Sequence, residues 1–352
     1  MTKTTFAERV LKWFDHSGRT HLPWQQDRTA YRVWVSEIML QQTQVATVIP
    51  YYEKFMTSYP TVQTLAEASE DAVLSHWAGL GYYSRARNLH KASKLVCADF
   101  NGEMPNTLDE MMQLSGIGRS TAGAILSLSQ NQKHAILDGN VKRVLTRYHA
   151  VEGWPGKSAV LKQLWQLAEH HVPDKRNADY TQAMMDLGAT LCTRSKPDCE
   201  QCPLHQNCQA YADGNPSNYP SKKPKKTIPT KEAVLLLVTH EDGSTLIEKR
   251  PPTGIWGGLW SLPQFEDEEK ARNWLRQHFS ETPIVFEHYA KITHTFSHFH
   301  LHAETYKVQL NTNYKTGIME ADAYLWYNNP HEFTGGFPAP IKKLLAPERT
   351  LL

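Results

Sequence analysis

At 352 residues the chain has length for two or three domains of about 150 residues each, which excludes a peptide or a single small module. Its composition, 40% hydrophobic and 21% charged, excludes wholesale disorder and fibrous repeats. The formal charge of +2 hides an uneven distribution, with 22 basic and 21 acidic residues over 1–215, 5 and 0 over 216–231, and 11 and 15 over 232–352. Charge therefore permits a polyanionic partner without requiring one.

The first residues carry Lys3, Glu8, Arg9 and Lys12 with no apolar core behind them, unlike a secretory signal. The longest apolar run, Ala233 to Val238, is far too short for a membrane helix, so a cytoplasmic, nucleoid-associated chain is expected. Phe6, Val10, Trp13 and Phe14 return at helical spacing, as do Ala66, Val73 and Trp77, and later Leu161, Leu164, Trp165 and Ala168. A helix is predicted over Val33 to Leu40, where Glu37 sits among apolar neighbours. Burial would raise the pKa of such a carboxyl and keep it protonated, as a general acid requires; an ordinary surface glutamate on an amphipathic helix would be written in the same letters. Gln41, Gln42 and Thr43 follow one turn on. In Gly79-Leu80-Gly81-Tyr82-Tyr83-Ser84-Arg85-Ala86-Arg87 the glycines free an aromatic pair beside two arginines, a set suited to opening a duplex.

Leu114-Ser115-Gly116-Ile117-Gly118-Arg119 lies between helical segments Leu108 to Leu114 and Arg119 to Leu128. Gly116 and Gly118 allow positive φ and close backbone approach, so amides can face an anion while Ile117 anchors the turn. About twenty residues on, Leu137-Asp138-Gly139-Asn140-Val141 opens another helix with a carboxylate at its entrance, a placement that helix capping alone also explains.

Cys192, Cys199, Cys202 and Cys208 bring four thiols into one short loop, while Cys97 stands apart. In a cytosolic chain such a group asks for a metal. A single compact wrap suits a [4Fe-4S] cluster better than zinc, which more often pairs two Cys-x-x-Cys knuckles across a longer loop; zinc and purely structural cysteines are the remaining readings. Pro216, Pro220, Pro224 and Pro229, interleaved with lysines, then mark a linker over 216–231. Beyond it the period changes. Glu232 to His240, His288 to His302 and Ala323 to Tyr327 read as strands and Glu268 to Phe279 as a helix, which predicts an α+β domain. His298, His300 and His302 alternate and are expected on one strand face.

Taken together, Glu37 with Gln41-Gln42-Thr43, the Gly-Leu-Gly-Tyr-Tyr segment, the glycine hairpin, Asp138 and the Cys-x6-Cys-x2-Cys-x5-Cys loop resemble the helix-hairpin-helix DNA glycosylases over nearly all of 1–215. Arg250-Pro251-Pro252-Thr253-Gly254-Ile255-Trp256-Gly257-Gly258-Leu259-Trp260 and Phe296-Ser297-His298 narrow the likeness to the adenine DNA glycosylases, the MutY family, across the whole chain. The resemblance implies a multidomain fold: an all-α glycosylase region over 1–215, with a six-helix barrel at about 24–133 and a [4Fe-4S] domain from 1–23 and 134–215. A Nudix-like α+β domain resembling MutT would fill 232–352. It implies excision of adenine mispaired with 8-oxoguanine or guanine in duplex DNA, which prevents G:C to T:A transversions.

Carried onto these residues, the resemblance implies that Glu37 protonates adenine, at N7, while ionised Asp138 stabilises the oxocarbenium-like sugar. Asn140 and Ser120 would support them; Ser120 stands where the endonuclease III branch has a Schiff-base lysine, which implies a monofunctional glycosylase. Trp24, Leu40 and Gln182 would line the adenine pocket. Gln41, Gln42, Thr43, Tyr82, Gly116 and Gly118 would meet DNA, and Phe296, Ser297 and His298 would recognise 8-oxoguanine. Cys192, Cys199, Cys202 and Cys208 would hold the cluster. A monomer without membrane contact is implied, meeting later repair and replication proteins. Glu266-Asp267-Glu268-Glu269-Lys270 departs from the hydrolytic Nudix motif, so the second domain is expected to recognise a base rather than hydrolyse a nucleotide. Two other classes are open on the residues alone: a glycosylase with strong lyase activity through a lysine such as Lys142, and a lesion-binding protein without catalysis.

Overall fold

The computed structural model describes residues 4–224, 227–279, 285–296, 298–310, 323–328 and 333–346. The helices are, in chain order, α1 (Phe6–Ser17), α2 (Pro23–Gln26), α3 (Ala30–Leu40), α4 (Val45–Ser58), α5 (Val62–Glu67), α6 (Glu70–Trp77), α7 (Ser84–Asp99) and α8 (Leu108–Gln113). They continue with α9 (Arg119–Gln130), α10 (Gly139–Tyr148), α11 (Ser158–His171), α12 (Asn177–Thr190), α13 (Gln209–Ala212), α14 (Glu268–His278) and α15 (Ala339–Leu345). The strands are β1 (Thr230–His240), β2 (Thr245–Lys249), β3 (Trp260–Ser261), β4 (Gln264–Phe265), β5 (Val285–Thr295), β6 (His300–Leu310) and β7 (Tyr324–Tyr327). Two compact units result, one of Met1–Glu67 with Asn88–Lys225, the other of Ala68–Arg87 with Lys226–Leu352.

The first unit is helical, and its helices begin where the sequence supplies a cap. Thr5 and Glu8 close a reciprocal capping box on α1, Thr29 accepts from the Arg32 N–H at the start of α3, and Thr107 from Glu110 at α8. Phe6, Val10, Leu11 and Phe14 of α1 join Val141, Val144 and Leu145 of α10 and Ala183, Met184 and Leu187 of α12 in one core. Burying each of these side chains contributes on the order of 1.5–3 kcal/mol. Helix α3 is buried on nearly every side, with Val33, Trp34, Val35, Ser36, Ile38 and Met39 enclosed, as befits a helix packed among others. Its contacts run to α2, α4 and α9. Between α8 and α9 the chain turns through Gly116 at φ +84°, a conformation that favours glycine, while Ile117 is buried beneath the turn.

The second unit is α+β. Its mixed sheet runs β3-β2-β1-β6-β5, with β4 also paired to β1 and β7 to β2. The pair β1–β6 is parallel from Thr230↔His300 to His240↔Leu310. Ala271, Leu275 and Phe279, on and just after α14, pack on Val234, Leu236, Val238, Leu246, Val308 and Leu310 of the sheet. Asp267 caps α14 through the Lys270 N–H. The expected single face of alternating histidines does not form: β5 ends at Thr295 and β6 starts at His300, so His298 lies in the intervening turn and only His300 and His302 share the strand. The turn is closed by the Phe296 N–H donating to Phe299 O at 2.9 Å.

Candidate active site

A cavity of about 670 Å³ in the first unit collects most of the predicted residues: Glu37 and Leu40 from α3, Gln41, Gln42 and Thr43 just after it, Ser120 from α9, Asp138 and Asn140 at the start of α10, Trp24 from α2 and Gln182 from α12. Gln42 holds φ +59°, a rare conformation for a residue with a side chain, which marks the bend between α3 and α4. Gly116 and Gly118 belong to the hairpin rather than the cavity wall. Tyr82, Phe296 and His298 lie in the second unit. Ser297 falls outside the described residues.

The two carboxyls stand in unlike surroundings. Burial, and then the charge of Asp138, push Glu37 from its ordinary 4.5 up to about 8, and no hydrogen-bond donor among the described residues offsets this. Burial also pushes Asp138 upward, but the N–H groups of Val141 and Asn140 and the positive charges of Arg143 and Lys142 oppose it. The Val141 N–H donates to Asp138 Oδ1 at 2.7 Å, so the carboxylate is the N-cap of α10 and also faces the cavity. The capping reading of Asp138 therefore holds, and the same carboxylate also lines the cavity. Both carboxyls are thus held above their ordinary range, Glu37 by burial with nothing to offset it and Asp138 by burial that two N–H groups and two cations partly offset.

Neighbouring polar groups fix the wall. The Leu137 N–H donates to Ser120 Oγ at 2.9 Å, so Ser120 holds the backbone immediately before Asp138. Arg143 donates from Nη2 to Asn140 Oδ1 at 2.8 Å and to Gly188 O at 2.7 Å, and from Nε to Cys192 O at 2.6 Å. Helices α10 and α12 approach closely here: a Cβ on Gly188 would stand 2.5 Å from Asn140 Cβ.

Sequence reasoning missed Arg19 and Asp186. Arg19 lines the cavity and donates from Nε and Nη2 to Asp186 Oδ1 at 2.9 and 2.6 Å, while its own N–H reaches Oδ2 at 2.8 Å. Gln182 Nε2 donates to the same Oδ1 at 2.8 Å. Asp186, with 1% of its side chain exposed, therefore orients two polar residues of the wall. The four-residue spacing from Gln182 to Asp186 was a readable signal; nothing adjoining Arg19 announced it.

Cys192, Cys199, Cys202 and Cys208 line a second, largely apolar cavity with Val144, Leu191, Leu204 and Tyr211. Burial pushes Cys202 up to about 12 and raises Cys199 and Cys208. Arg147 is buried and donates to Cys192 Sγ at 3.3 Å, Thr193 O at 2.7 Å, Arg194 O at 3.1 Å, Pro216 O at 2.9 Å and Tyr219 O at 3.0 Å. Among the described residues no three His, Cys, Asp or Glu side chains are grouped to hold a single metal ion. Four soft donors around one pocket, with an arginine hydrogen-bonded to a sulfur, are a donor set that suits a thiolate-ligated metal centre.

Comparison with known proteins agrees with this geometry. Residues 35–170 match the HhH-GPD superfamily of base excision DNA repair proteins, and residues 233–347 match the NUDIX domain. The chain is 40% identical to the adenine DNA glycosylase of Buchnera aphidicola subsp. Acyrthosiphon pisum over 347 residues, 98% of each protein. It is 37% identical to the Homo sapiens adenine DNA glycosylase, covering 87% of this chain and 67% of that one. The solved structure of a thermostable thymine-DNA glycosylase is similar with a TM-score of 0.54 and 28% identity, over 59% of this chain and 95% of that one. A full-length likeness at this identity, on a helical unit whose cavity holds paired carboxyls and an α+β unit with a Nudix match, makes the chain a member of the adenine DNA glycosylase family.

Proposed function

We propose that the chain is a monofunctional glycosylase that excises adenine opposite 8-oxoguanine or guanine in duplex DNA. The observation that carries the reading is the pair of carboxyls on one cavity, Glu37 buried with no donor beside it and Asp138 held by N–H groups and neighbouring cations. Neutral Glu37 donates its proton to N7 of the extruded adenine, the C1′–N9 bond breaks with its electron pair passing to the base, and Asp138 stabilises the cation left on the sugar. Water then adds at C1′ and releases a proton. Asn140 and Ser120 hold the Asp138 segment, and Trp24, Leu40 and Gln182 bound the space for the base. Gln41, Gln42, Thr43, Tyr82 and the Gly116–Gly118 hairpin serve the duplex, while Phe296, Ser297 and His298 read the lesion. Ser120 offers a hydroxyl rather than an amine, so strand cleavage does not follow base release.

Cys192, Cys199, Cys202 and Cys208 would hold a [4Fe-4S] cluster, whose positive iron would supply the charge that lets buried thiols ionise. With four protein thiolates it would cross-link α12, the cysteine loop and α13 and take no part in the reaction. The domain limits 1–215, 216–231 and 232–352, a monomeric state and a cytoplasmic location belong to the same reading; among the described residues no helix is long and apolar enough to cross a membrane. Later repair and replication proteins are its expected partners.

The test is single-turnover adenine release from an 8-oxoguanine:adenine duplex, with strand breaks scored before and after alkali. Wild type should release adenine and give breaks only after alkali, while Glu37→Gln and Asp138→Asn retain duplex binding and lose release. Wild-type binding without base release would overturn the reading.

A further inference from the structure

The Gly79–Ser84 turn is built as a rigid mount. Tyr82 stands 47% exposed at φ +49°, and Arg85 lies with its guanidinium carbon 5.5 Å from the ring centres of both Trp77 and Tyr82. Arg85 donates to Leu80 O at 3.3 Å and Gly81 O at 3.1 Å, and Trp77 Nε1 to Gly81 O at 3.2 Å. The arginines that the sequence offered to DNA are therefore directed at backbone carbonyls; Arg87 donates from Nη1 to Gly257 O.

That second carbonyl belongs to a closed loop. Gly258 N–H donates to Pro251 O at 2.9 Å, Leu259 N–H to Trp256 O at 3.0 Å, and Arg250 N–H to Leu259 O at 2.8 Å. Gly258, at φ +77°, brings its backbone so near Arg87 that a Cβ there would lie 3.0 Å from Nη1. Buried Trp256 in this loop lies with its ring centre 6.3 Å from His294 and 6.4 Å from Phe296. A second tie, Lys249 Nζ to Asp71 Oδ2 at 2.9 Å, fastens α6 to β2. A continuous line of contacts thus runs from the Tyr82 turn through Arg87 and the Trp256 loop to Phe296.

We propose that Arg87 is a positioning residue for lesion specificity, coupling the Trp256–Phe296 contact to the attitude of the Tyr82 turn. The inference rests on the preceding reading of Phe296 and Tyr82 as lesion and duplex contacts. Occupation of the lesion site shifts or stiffens the Trp256 loop, and Arg87 passes that to the tyrosine.

The test compares single-turnover adenine release on 8-oxoguanine:adenine and guanine:adenine duplexes, with hydrogen exchange of the free, full-length protein. Arg87→Met should reduce the preference for the oxidised pair about 10-fold, the scale of one charged hydrogen bond, and Arg87→Lys should restore most of it. In a Tyr82→Ala background Arg87→Met should change the preference no further. Amides of 79–84 should exchange faster in Arg87→Met without any DNA present. Should Arg87→Met fold poorly, Lys249→Asp should lower the preference and its combination with Asp71→Lys should recover it. An equal loss with and without Tyr82, or unaltered exchange at 79–84, would overturn the coupling. Faster exchange in the variant, with a wild type that shows no preference between the two pairs, would instead overturn the lesion reading on which it rests.

Discussion

Glu37 sets the pH response. Its folded pKa lies near 8 against an ordinary 4.5, so between these values the folded protein holds a proton that the unfolded chain gives up. The contribution of Glu37 to stability therefore falls as pH rises through this window, and denaturant midpoints at several pH values should show wild type losing stability relative to Glu37→Gln across it. As a proton donor Glu37 should also give adenine release a descending limb centred near pH 8, against which a flat wild-type profile to pH 9 would count decisively. Ser297→Ala, at a position outside the described residues, should weaken the preference for 8-oxoguanine while leaving release opposite guanine largely intact. Glu37 was legible because a carboxylate inside Val33 to Leu40 is unusual for a buried helix. Arg19 was not, since its partner Asp186 lies 167 residues away and local spacing carries no record of such a pair.

At the scale of elements, the cavity wall depends on α12 as much as on α3. Its Gln182, Met185 and Ala189 face the cavity, and Asp186 shares their side of the helix. Arg19→Ala should cost about 2 kcal/mol in thermal or denaturant unfolding, less than the roughly 3–5 kcal/mol typical of a broken buried pair because Asp186 keeps a backbone N–H and Gln182. It should also slow adenine release, since Gln182 loses a neighbour that fixes its carboxylate partner. Ser120→Ala strands the Leu137 N–H and should lower stability by about 1–3 kcal/mol, with a slower release step and unchanged duplex binding. Helices were legible from period and caps: Thr5, Thr29, Thr107 and Asp267 all cap as their residue types suggest. The break between β5 and β6 was hidden, because aromatic and β-branched residues run from His288 to His302 without a Gly or Pro to interrupt the strand pattern.

At the scale of the molecule, the change of period at the proline-rich stretch announced an α+β unit, and the Nudix match over 233–347 lies within it. What no local pattern announces is that Ala68–Arg87 packs with that unit, since the tie is made by single side chains such as Asp71 and Arg87 to distant partners. The cysteine cavity belongs to the helical unit, where Arg147 joins the loop to Pro216 and Tyr219. Cys202→Ser, or chelation of the iron of the proposed cluster under reducing conditions, should therefore lower the melting temperature of the helical unit and loosen 216–219, read by hydrogen exchange. Unfolding of the sheet unit should shift little.

The Asp71–Lys249 pair also imposes an order in time. Asp71 emerges from the ribosome 178 residues ahead of Lys249, roughly ten seconds or more at ordinary rates of synthesis. Through that interval α6, whose Val73, Leu74 and Trp77 are buried in the finished protein, lacks most of the unit with which it groups. Nascent chains arrested before residue 249 should accordingly be cut by protease within 68–87, and chains arrested after the sheet is complete should resist, so the segment bearing Tyr82 matures last although it is made early.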